Sequence, residues 1–193
     1  GRASIGGCDL VSARDEARRR TASLSVSIGA YGELSAYENL LLAEHILRPG
    51  PGTASTPVSA SVSPKRATGK DGSVAARPRI QQSPETSRIE LVLDRVGLSG
   101  REGTPLDTFS AGMKQRFALA RLSLLQRDLV LLDEPEAHLD AEGLTLLREL
   151  IQEWKSRGAA ILCATHAPER FRDLEDLEIH LVGGSVEVLK GDQ

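Results

Sequence analysis

The sequence predicts an α/β fold with a largely parallel sheet. Short continuous apolar runs alternate with longer segments of helical periodicity, a pattern typical of strands buried between helices. The run Leu129-Val130-Leu131-Leu132 ends abruptly in charged residues, and residues 159–164 form a second apolar run. We predict that both are buried parallel strands. Near the end, residues 177–182 and 186–189 flank Gly183-Gly184, which predicts a β-hairpin with a two-residue turn.

Four segments have the spacing of helices. The first begins at Ser35, which with Glu38 has the spacing of a capping box, and continues to Leu47. The others are marked by apolar residues on one helical face. These residues are Ile89, Val92, Leu93 and Val96; Met113, Phe117, Ala120 and Leu124; and Leu147, Leu150, Ile151 and Trp154, the last helix being closed by Gly158.

Length and composition favour one globular domain. The chain has 193 residues, 40% of them hydrophobic, and a net charge of −3. No apolar run is long enough to span a membrane. The slight acidity and the aromatic content of 3% argue against a nucleic-acid partner. Cys8 and Cys163 have neither metal-binding nor redox spacing, so we expect a reducing, cytosolic compartment.

Residues 49–87 differ in composition from the rest. They hold six of the nine prolines and almost no large apolar side chains. Such a stretch cannot bury enough surface to offset its ordering entropy, so we interpret it as a disordered insertion. A non-native insertion and a lipid- or partner-binding loop are both compatible with it. The domain is thus predicted to comprise residues 1–48 and 88–193.

The strongest chemical signal is the pair Asp133 and Glu134, at the end of the first predicted strand. Ligands of open α/β sheets bind at the carboxyl edge, where both carboxylates would lie. One carboxylate can hold Mg²⁺, usually through water, and the other can orient or deprotonate an attacking water. A charged turn after a buried strand is the alternative.

Four further residues are candidates for the same site. Ser110 is suited to cap a helix whose N-terminus favours a phosphate, and Gly112 would allow a close approach to the backbone. His166 follows the second predicted strand and would reach the same sheet edge as Glu134. Asp140 precedes a predicted helix. Taken singly, these residues are also compatible with a plain capped helix, a loop histidine and an N-cap.

In their order and spacing, these motifs resemble the nucleotide-binding domain of ATP-binding cassette (ABC) ATPases. Asp133 matches the Walker B aspartate and Glu134 the catalytic glutamate, while Asp140 matches the D-loop and His166 the switch histidine. The segment similar to the signature motif, which departs from the usual Ser-Gly-Gly-Gln, is Ser110-Ala111-Gly112-Met113-Lys114-Gln115.

The resemblance implies a P-loop NTPase-like ABC ATPase core, here with an incomplete sheet, and a helical signature subdomain. In this interpretation residues 1–48 lead into the helical subdomain, and residues 88–193 complete it and carry the Walker B and C-terminal parts. Catalytic roles fall to Glu134 and His166, and Asp133 holds Mg²⁺ through water. The signature residues would contact an ATP held by the opposite subunit; they are Ser110, Ala111, Gly112 and Met113.

The resemblance also implies partners and a location. Such domains act as homodimers or heterodimers beneath a transmembrane permease, on the cytoplasmic face of the bacterial plasma membrane. The run Gly-Met-Lys-Gln-Arg after Ser110 is similar to that of the haem exporter ATPase of cytochrome c maturation and of ABC-2 type exporters. Residues 31–40 look like the Leu-Thr-x-x-Glu-Asn-Leu helix entry of the same group. Haem is therefore the favoured substrate, and ATP and Mg²⁺ are the expected cofactors.

Two departures from the family qualify this expectation. The pattern Gly-x-x-x-x-Gly-Lys-Ser/Thr of Walker A is not found, and Gly69-Lys70 is a poor match because Asp71 follows it. The opening residues 1–10 resemble the segment that follows the P-loop helix, so we expect an N-terminally truncated domain. No Q-loop ligand can be named near Ser25-Val26-Ser27. The chain alone should hydrolyse ATP negligibly, because the phosphate cradle supplies much of the binding and charge stabilisation.

Two other functions remain open. A degenerate cassette could act as a non-catalytic regulatory or binding module that offers its signature helix to another subunit's ATP. The residues from Asp133 to His138 are also similar to chromosome-maintenance and DNA-repair ATPases of related fold. Those proteins usually carry long heptad coiled coils, and no such repeat is present in this sequence.

Overall fold

The computed structural model describes residues 1–25, 29–47 and 84–190. Most of the predicted insertion, residues 49–83, and the Q-loop slot at Val26 and Ser27 lie outside the described residues. Residues 84–87, which we assigned to the end of the insertion, instead form the first turn of a helix. The proline at position 84 explains this start, because proline is well tolerated in the first turn of a helix.

The centre of the fold is the predicted parallel sheet. Its strands are β3 (Thr21–Leu24), β4 (Leu129–Asp133) and β5 (Ala160–Ala164), in the order β3-β4-β5. Thr21 pairs with Leu129 and Leu129 with Ala160, so all three strands run from the same amino edge. The α/β class expected from the sequence is therefore present, and the carboxyl ends of β4 and β5 lie side by side.

The two strands differ in burial from the prediction. In β4, Val130 and Leu132 are buried, but the alternating residues Leu129 and Leu131 are only half-buried. The prediction of a fully buried second strand is wrong, because alternate residues of β5 are exposed and Leu162 is 58% exposed. The reason is that one face of β5, which carries Ala160, Leu162 and Ala164, is not covered by the described residues.

Helices cover the sheet and build a helical layer beside it. Short α1 (Arg14–Arg19) precedes β3, and α5 (Ala141–Ser156) packs on β5. The helical layer consists of α2 (Ala36–Leu47), α3 (Pro84–Arg95) and α4 (Ala111–Leu125), with α4 also contacting β3. The predicted apolar faces supply the core; its fully enclosed side chains include Leu40, Ile89, Leu93, Phe117, Leu147 and Leu150.

The start of α2 confirms the predicted capping box. The Ser35 N–H and hydroxyl both donate to Glu38 Oε2, and the Glu38 N–H donates to Ser35 Oγ at 3.2 Å. Buried Asn39 then ties the preceding loop down. Its Oδ1 accepts from the Tyr31 N–H at 2.8 Å, and its amide donates to the carbonyl oxygens of Tyr31 and Leu34.

Two antiparallel hairpins complete the described structure. The first pairs β1 (Ser4–Ile5) with β2 (Cys8–Asp9). The second pairs β6 (Leu177–Val182) with β7 (Ser185–Lys190), which confirms the hairpin prediction. Gly183 and Gly184 have φ values of 56° and 83°, the left-handed pair that a two-residue turn requires. In the described part of the chain, no helix has both the length and the apolarity needed to cross a bilayer.

Candidate functional site

The carboxyl edge of the sheet brings together the acidic pair and the histidine predicted from the sequence. Asp133 is the last residue of β4 and pairs in register with Ala164 of β5. Glu134 follows with a positive φ of 49°, and its N–H donates to the Ala164 carbonyl oxygen at 2.9 Å. The two loops that leave β4 and β5 therefore start from a shared hydrogen bond.

Glu134 and His166 face each other across this edge. Glu134 Oε1 lies 3.1 Å from His166 Nε2, while the side chains are 35% and 95% exposed. A half-buried carboxylate can accept a proton from a water, and the exposed imidazole beside it can donate an N–H to an anion. Asp133 is exposed one residue earlier. The edge thus holds a candidate metal ligand, a candidate base and a candidate hydrogen-bond donor.

Behind this edge lies a buried polar contact. Glu136 is only 8% exposed, and its Oε1 accepts a hydrogen bond from the Thr165 hydroxyl. Thr165 Oγ1 in turn accepts from the Ala167 N–H at 2.9 Å. Burial, reinforced by the negative charges of Glu136 and Glu134, raises the pKa of the nearby Cys163 thiol to about 12.

The helix N-terminus predicted at Ser110 is present. Ser110 precedes α4 with extended backbone, and its Oγ accepts from the Met113 N–H at 3.2 Å. A Cβ at Gly112 would lie 3.0 Å from the His138 carbonyl oxygen, closer than most side chains permit. Glycine at this position therefore allows α4 to pack against the loop after β4.

Asp140 caps α5 and also contacts α4. Its Oδ1 accepts from the Gly143 N–H at 2.8 Å and from Arg116 Nη2 at 2.7 Å. The Gly143 hydrogen bond, followed by that from Arg116, lowers the pKa of the Asp140 carboxyl. Arg116 also donates to the Val96 carbonyl oxygen at 3.2 Å, so one guanidinium joins three segments of the chain.

These residues border an open groove of about 390 Å³. The groove runs from the start of α4 to the start of α5. Its lining residues are Gly97, Leu98, Ser110, Gly112, Met113, Arg116, His138, Asp140 and Glu142. Three of the four predicted signature residues thus line one groove with Asp140, whereas Ala111 is exposed at the helix start.

The groove and the sheet edge are connected through Gln115. Its side-chain amide donates to the Pro135 carbonyl oxygen at 2.8 Å, directly after Glu134. Helix α4 is therefore hydrogen-bonded to the loop that carries the acidic pair. The structure groups the candidates as two neighbouring sets, one with Ser110 and Asp140, the other with Asp133, Glu134 and His166.

Sequence reasoning did not single out three of the contacting residues. Arg116 carries the contact between α4 and Asp140, and Glu136 and Thr165 link the two loops at the sheet edge. Glu136 could have been found from the sequence. It directly follows Asp-Glu-Pro in a turn that the flanking strands and helices are predicted to enclose, and an enclosed charge needs a partner. The hydroxyl of Thr165 gave no comparable signal.

The donor set fits Mg²⁺ only in part. Among the described residues, no group of three or more His, Cys, Asp or Glu side chains is arranged to hold a metal ion. Mg²⁺ commonly takes one or two carboxylates, with waters and phosphate oxygens completing its octahedron, and Asp133 suits that role. The printed sequence lacks the P-loop pattern that would cradle the phosphates.

Comparison with known proteins gives one family. The family model described as ABC transporter matches residues 1–137. A cytochrome c biogenesis ATP-binding export protein (CcmA) from Rhizobium johnstonii is 38% identical over 91 residues, 47% of this chain and 42% of the relative. The protein of the same name from Methylococcus capsulatus is 44% identical over 94 residues, 49% of this chain and 44% of the relative.

A solved structure shares the architecture. It is described as the structure of the ATP-binding subunit of an ABC transporter, with a TM-score of 0.71 and 25% sequence identity. The match covers 96% of this chain and 66% of the solved one. The chain spans less than half of the length of the two curated relatives above, at 42% and 44%.

Proposed function

The chain belongs to the ABC transporter family, and on that premise we propose that it is the ATP-binding subunit of an exporter, or a part of one. In this role it couples ATP binding and hydrolysis to the export of a substrate through a separate transmembrane permease. Haem is the substrate we favour, because relatives with similar sequences are named cytochrome c biogenesis ATP-binding export proteins. The subunit would work at the cytoplasmic face of the bacterial plasma membrane, as a homodimer or heterodimer.

The observation that carries the proposal is the 3.1 Å contact between Glu134 and His166 at the carboxyl edge of the sheet. Glu134 would orient and deprotonate the attacking water, and His166 would donate an N–H to the terminal phosphate. Asp133 would hold Mg²⁺ through water; the ion, when bound, neutralises charge on the phosphates. The groove at Ser110, Gly112 and Met113 would contact the ATP of the opposite subunit through the helix N-terminus.

The missing phosphate cradle limits what this chain does alone. Without a P-loop the cradle must come from elsewhere, and we expect negligible turnover from the 193 residues. ATP turnover by the purified chain that Glu134→Gln abolishes would contradict this expectation.

A chimera tests the proposed function directly. A segment carrying the Walker A pattern Gly-x-x-x-x-Gly-Lys-Ser/Thr would be fused before Gly1, and phosphate release would be measured. We expect turnover that Glu134→Gln lowers about 100-fold or more, in line with the loss of a general base. The matched control is Glu149→Gln, an exposed glutamate on α5 outside the site. A folded chimera without turnover would reject the ATPase assignment.

The same chimera tests the substrate. In a bacterium lacking its own cytochrome c biogenesis ATP-binding export protein, an active chimera should restore haem-containing c-type cytochromes. An active ATPase that restores none would reject the haem assignment while leaving the ATPase assignment intact.

The degenerate cassette is the second candidate, favoured by the intact groove at Ser110 in a chain without a P-loop. Such a module would raise the ATPase rate of a P-loop-bearing subunit added in trans, and Ser110→Ala would weaken this stimulation. An inactive chimera together with stimulation in trans would favour this candidate over the catalytic one.

A further inference from the structure

We infer that Glu136 and Thr165 are positioning residues that hold His166 against Glu134. The inference rests on the proposed function only for what the contact does in catalysis. The geometric statement concerns four side chains at the ends of β4 and β5, and it can be tested without ATP.

The first step is that His166 has little packing of its own. Its side chain is 95% exposed, yet its Nε2 lies 3.1 Å from Glu134 Oε1. An exposed imidazole gains little from such a contact and loses rotamer freedom in keeping it. The direction of the ring must therefore be set largely by the backbone on either side of residue 166.

The second step is that Thr165 fixes this backbone. Its hydroxyl donates to Glu136 Oε1 and accepts from the Ala167 N–H at 2.9 Å. The Thr165 side chain thus holds the backbone on both sides of His166. It bonds to Ala167, which follows the histidine, and it ties Thr165, which precedes the histidine, to Glu136. Such short-range bonds from a hydroxyl to the backbone hold a turn in one conformation.

The third step is that the burial of Glu136 lowers the stability of the fold. Its side chain is buried with 8% exposure, and no partner for its Oε2 is present among the described residues. A buried carboxylate oxygen without a hydrogen bond lowers the free energy of unfolding. Stability alone therefore does not explain a glutamate at this position, whereas fixing the His166 loop does.

The fourth step is that the neighbouring contacts do not fix the backbone at His166, whereas the contact between Glu136 and Thr165 does. The Glu134 N–H already joins the two loops at the Ala164 carbonyl oxygen, but this bond lies before His166 and involves only backbone atoms. The Glu136–Thr165 contact is the described side-chain link between the β4 loop and the His166 turn, apart from the Glu134–His166 contact itself.

The test is a double-mutant cycle read by NMR on the full chain. Ring ¹H and ¹⁵N signals of His166 are assigned with His166→Gln, and spectra are recorded at one fixed pH. Glu134→Gln should shift these signals in the wild-type background. In a Thr165→Val background, the same substitution should produce less than about half of that shift, because coupling is lost when two groups no longer touch.

Matched variants separate positioning from general damage. Thr165→Ser keeps the hydroxyl and should restore the full shift. Thr21→Val removes a hydroxyl that donates to the Ala17 carbonyl oxygen at the opposite edge of the sheet, and should leave the shift unchanged. Glu136→Gln keeps an oxygen acceptor and should retain most of the coupling, whereas Glu136→Ala should lose it. If Glu136→Ala does not fold, the threonine series carries the test.

Two outcomes overturn the inference. One is a full Glu134→Gln shift in folded Thr165→Val, because His166 would then hold its place without the hydroxyl. The other is no shift in the wild-type background, because there would be no contact to position. Intact coupling in a chain whose chimera lacks turnover would instead reject the proposed function and leave the positioning role standing.

Discussion

Arg116 reaches from the first turns of α4 to Asp140 at the N-terminus of α5, with Nη2 and Oδ1 2.7 Å apart. Its side chain is only 14% exposed, and Nη1 donates to the Val96 carbonyl oxygen at 3.2 Å. Helix α4 is thus fixed to the end of α3 and to Asp140 by one planar guanidinium. A lysine carries its donors on one compact ammonium group, which cannot reproduce both contacts of the planar guanidinium.

Arg116→Lys should therefore lower the free energy of unfolding by about 1–2 kcal/mol, because the half-enclosed Val96 carbonyl oxygen loses its donor. Urea unfolding monitored by the fluorescence of Trp154 measures the change. The matched control is Arg19→Lys. Because the ion pair of Arg19 with Glu16 is exposed, this substitution should change the free energy of unfolding by less than about 0.5 kcal/mol. Equal effects of the two substitutions would contradict the role assigned to Arg116.

Asn39 should contribute more than any exposed amide of the chain. Asn39→Ala removes the partner of the Tyr31 N–H and of the Tyr31 and Leu34 carbonyl oxygens, at a position that is 5% exposed. We expect a loss of about 2–3 kcal/mol in the free energy of unfolding. Gln152→Ala, on the exposed side of α5, is the control and should change it little. An unchanged urea midpoint for Asn39→Ala would show that water replaces these bonds.

Local patterns predicted the elements of this fold well but not their place in the sheet. The capping box at Ser35 and the glycine pair at Gly183 depend on residues within a few positions, so the sequence indicates them directly. Whether a layer covers each face of β5 depends on distant parts of the chain, and its apolar run is the same in both cases. This is why Leu162 was predicted to be buried and is exposed.

The candidate site was predictable where a motif carries it. The motif residues Asp133, Glu134 and His166 were assigned to one sheet edge because parallel strands end at the same edge, and they lie there. The supporting contact between Glu136 and Thr165 joins residues 29 positions apart through side chains, and no local pattern in the sequence predicts that these two residues meet. Contacts of this kind require coordinates.

Asp140 should make stability depend on acid pH. Its hydrogen bonds from the Gly143 N–H and Arg116 lower the pKa of the carboxyl in the folded state below the ordinary 3.8. The unfolded chain therefore binds the proton first. The contribution is present above the unfolded pKa and is lost as the pH falls through the folded value. Asp140→Asn keeps an acceptor for the helix cap but has no charge to lose.

Urea midpoints of wild type and Asp140→Asn, measured from pH 6 down to pH 2, check this sign. The advantage of the wild type should be constant at the upper end and shrink below about pH 4. Glu149→Gln, which removes the charge of an exposed carboxylate on α5, serves as the control for general charge effects. A difference that grows toward acid pH would mean that the carboxyl is destabilising in the folded state.

The thiol of Cys163 should make the stability of the protein depend on pH in the alkaline range. Burial, together with the negative charges of Glu136 and Glu134, raises the pKa of its thiol from 9.0 to about 12. The unfolded state therefore loses the thiol proton first as the pH rises. The corresponding stability is complete below about pH 9 and is lost between about pH 9 and 12. Cys163→Ser should flatten this part of the stability profile.

Alkylation by iodoacetamide tests the cause of this shift, because the thiolate is the reacting species. At pH 9 Cys163 should react several-fold more slowly in the folded chain than in the urea-unfolded chain, where its thiol is no longer buried. Glu136→Gln removes one neighbouring negative charge, lowers the pKa of the thiol and should speed its alkylation, while the rate at Cys8 stays the same. If the rate at Cys163 does not change in folded Glu136→Gln, the charge of Glu136 does not contribute to the raised pKa of the thiol, and burial and Glu134 account for it.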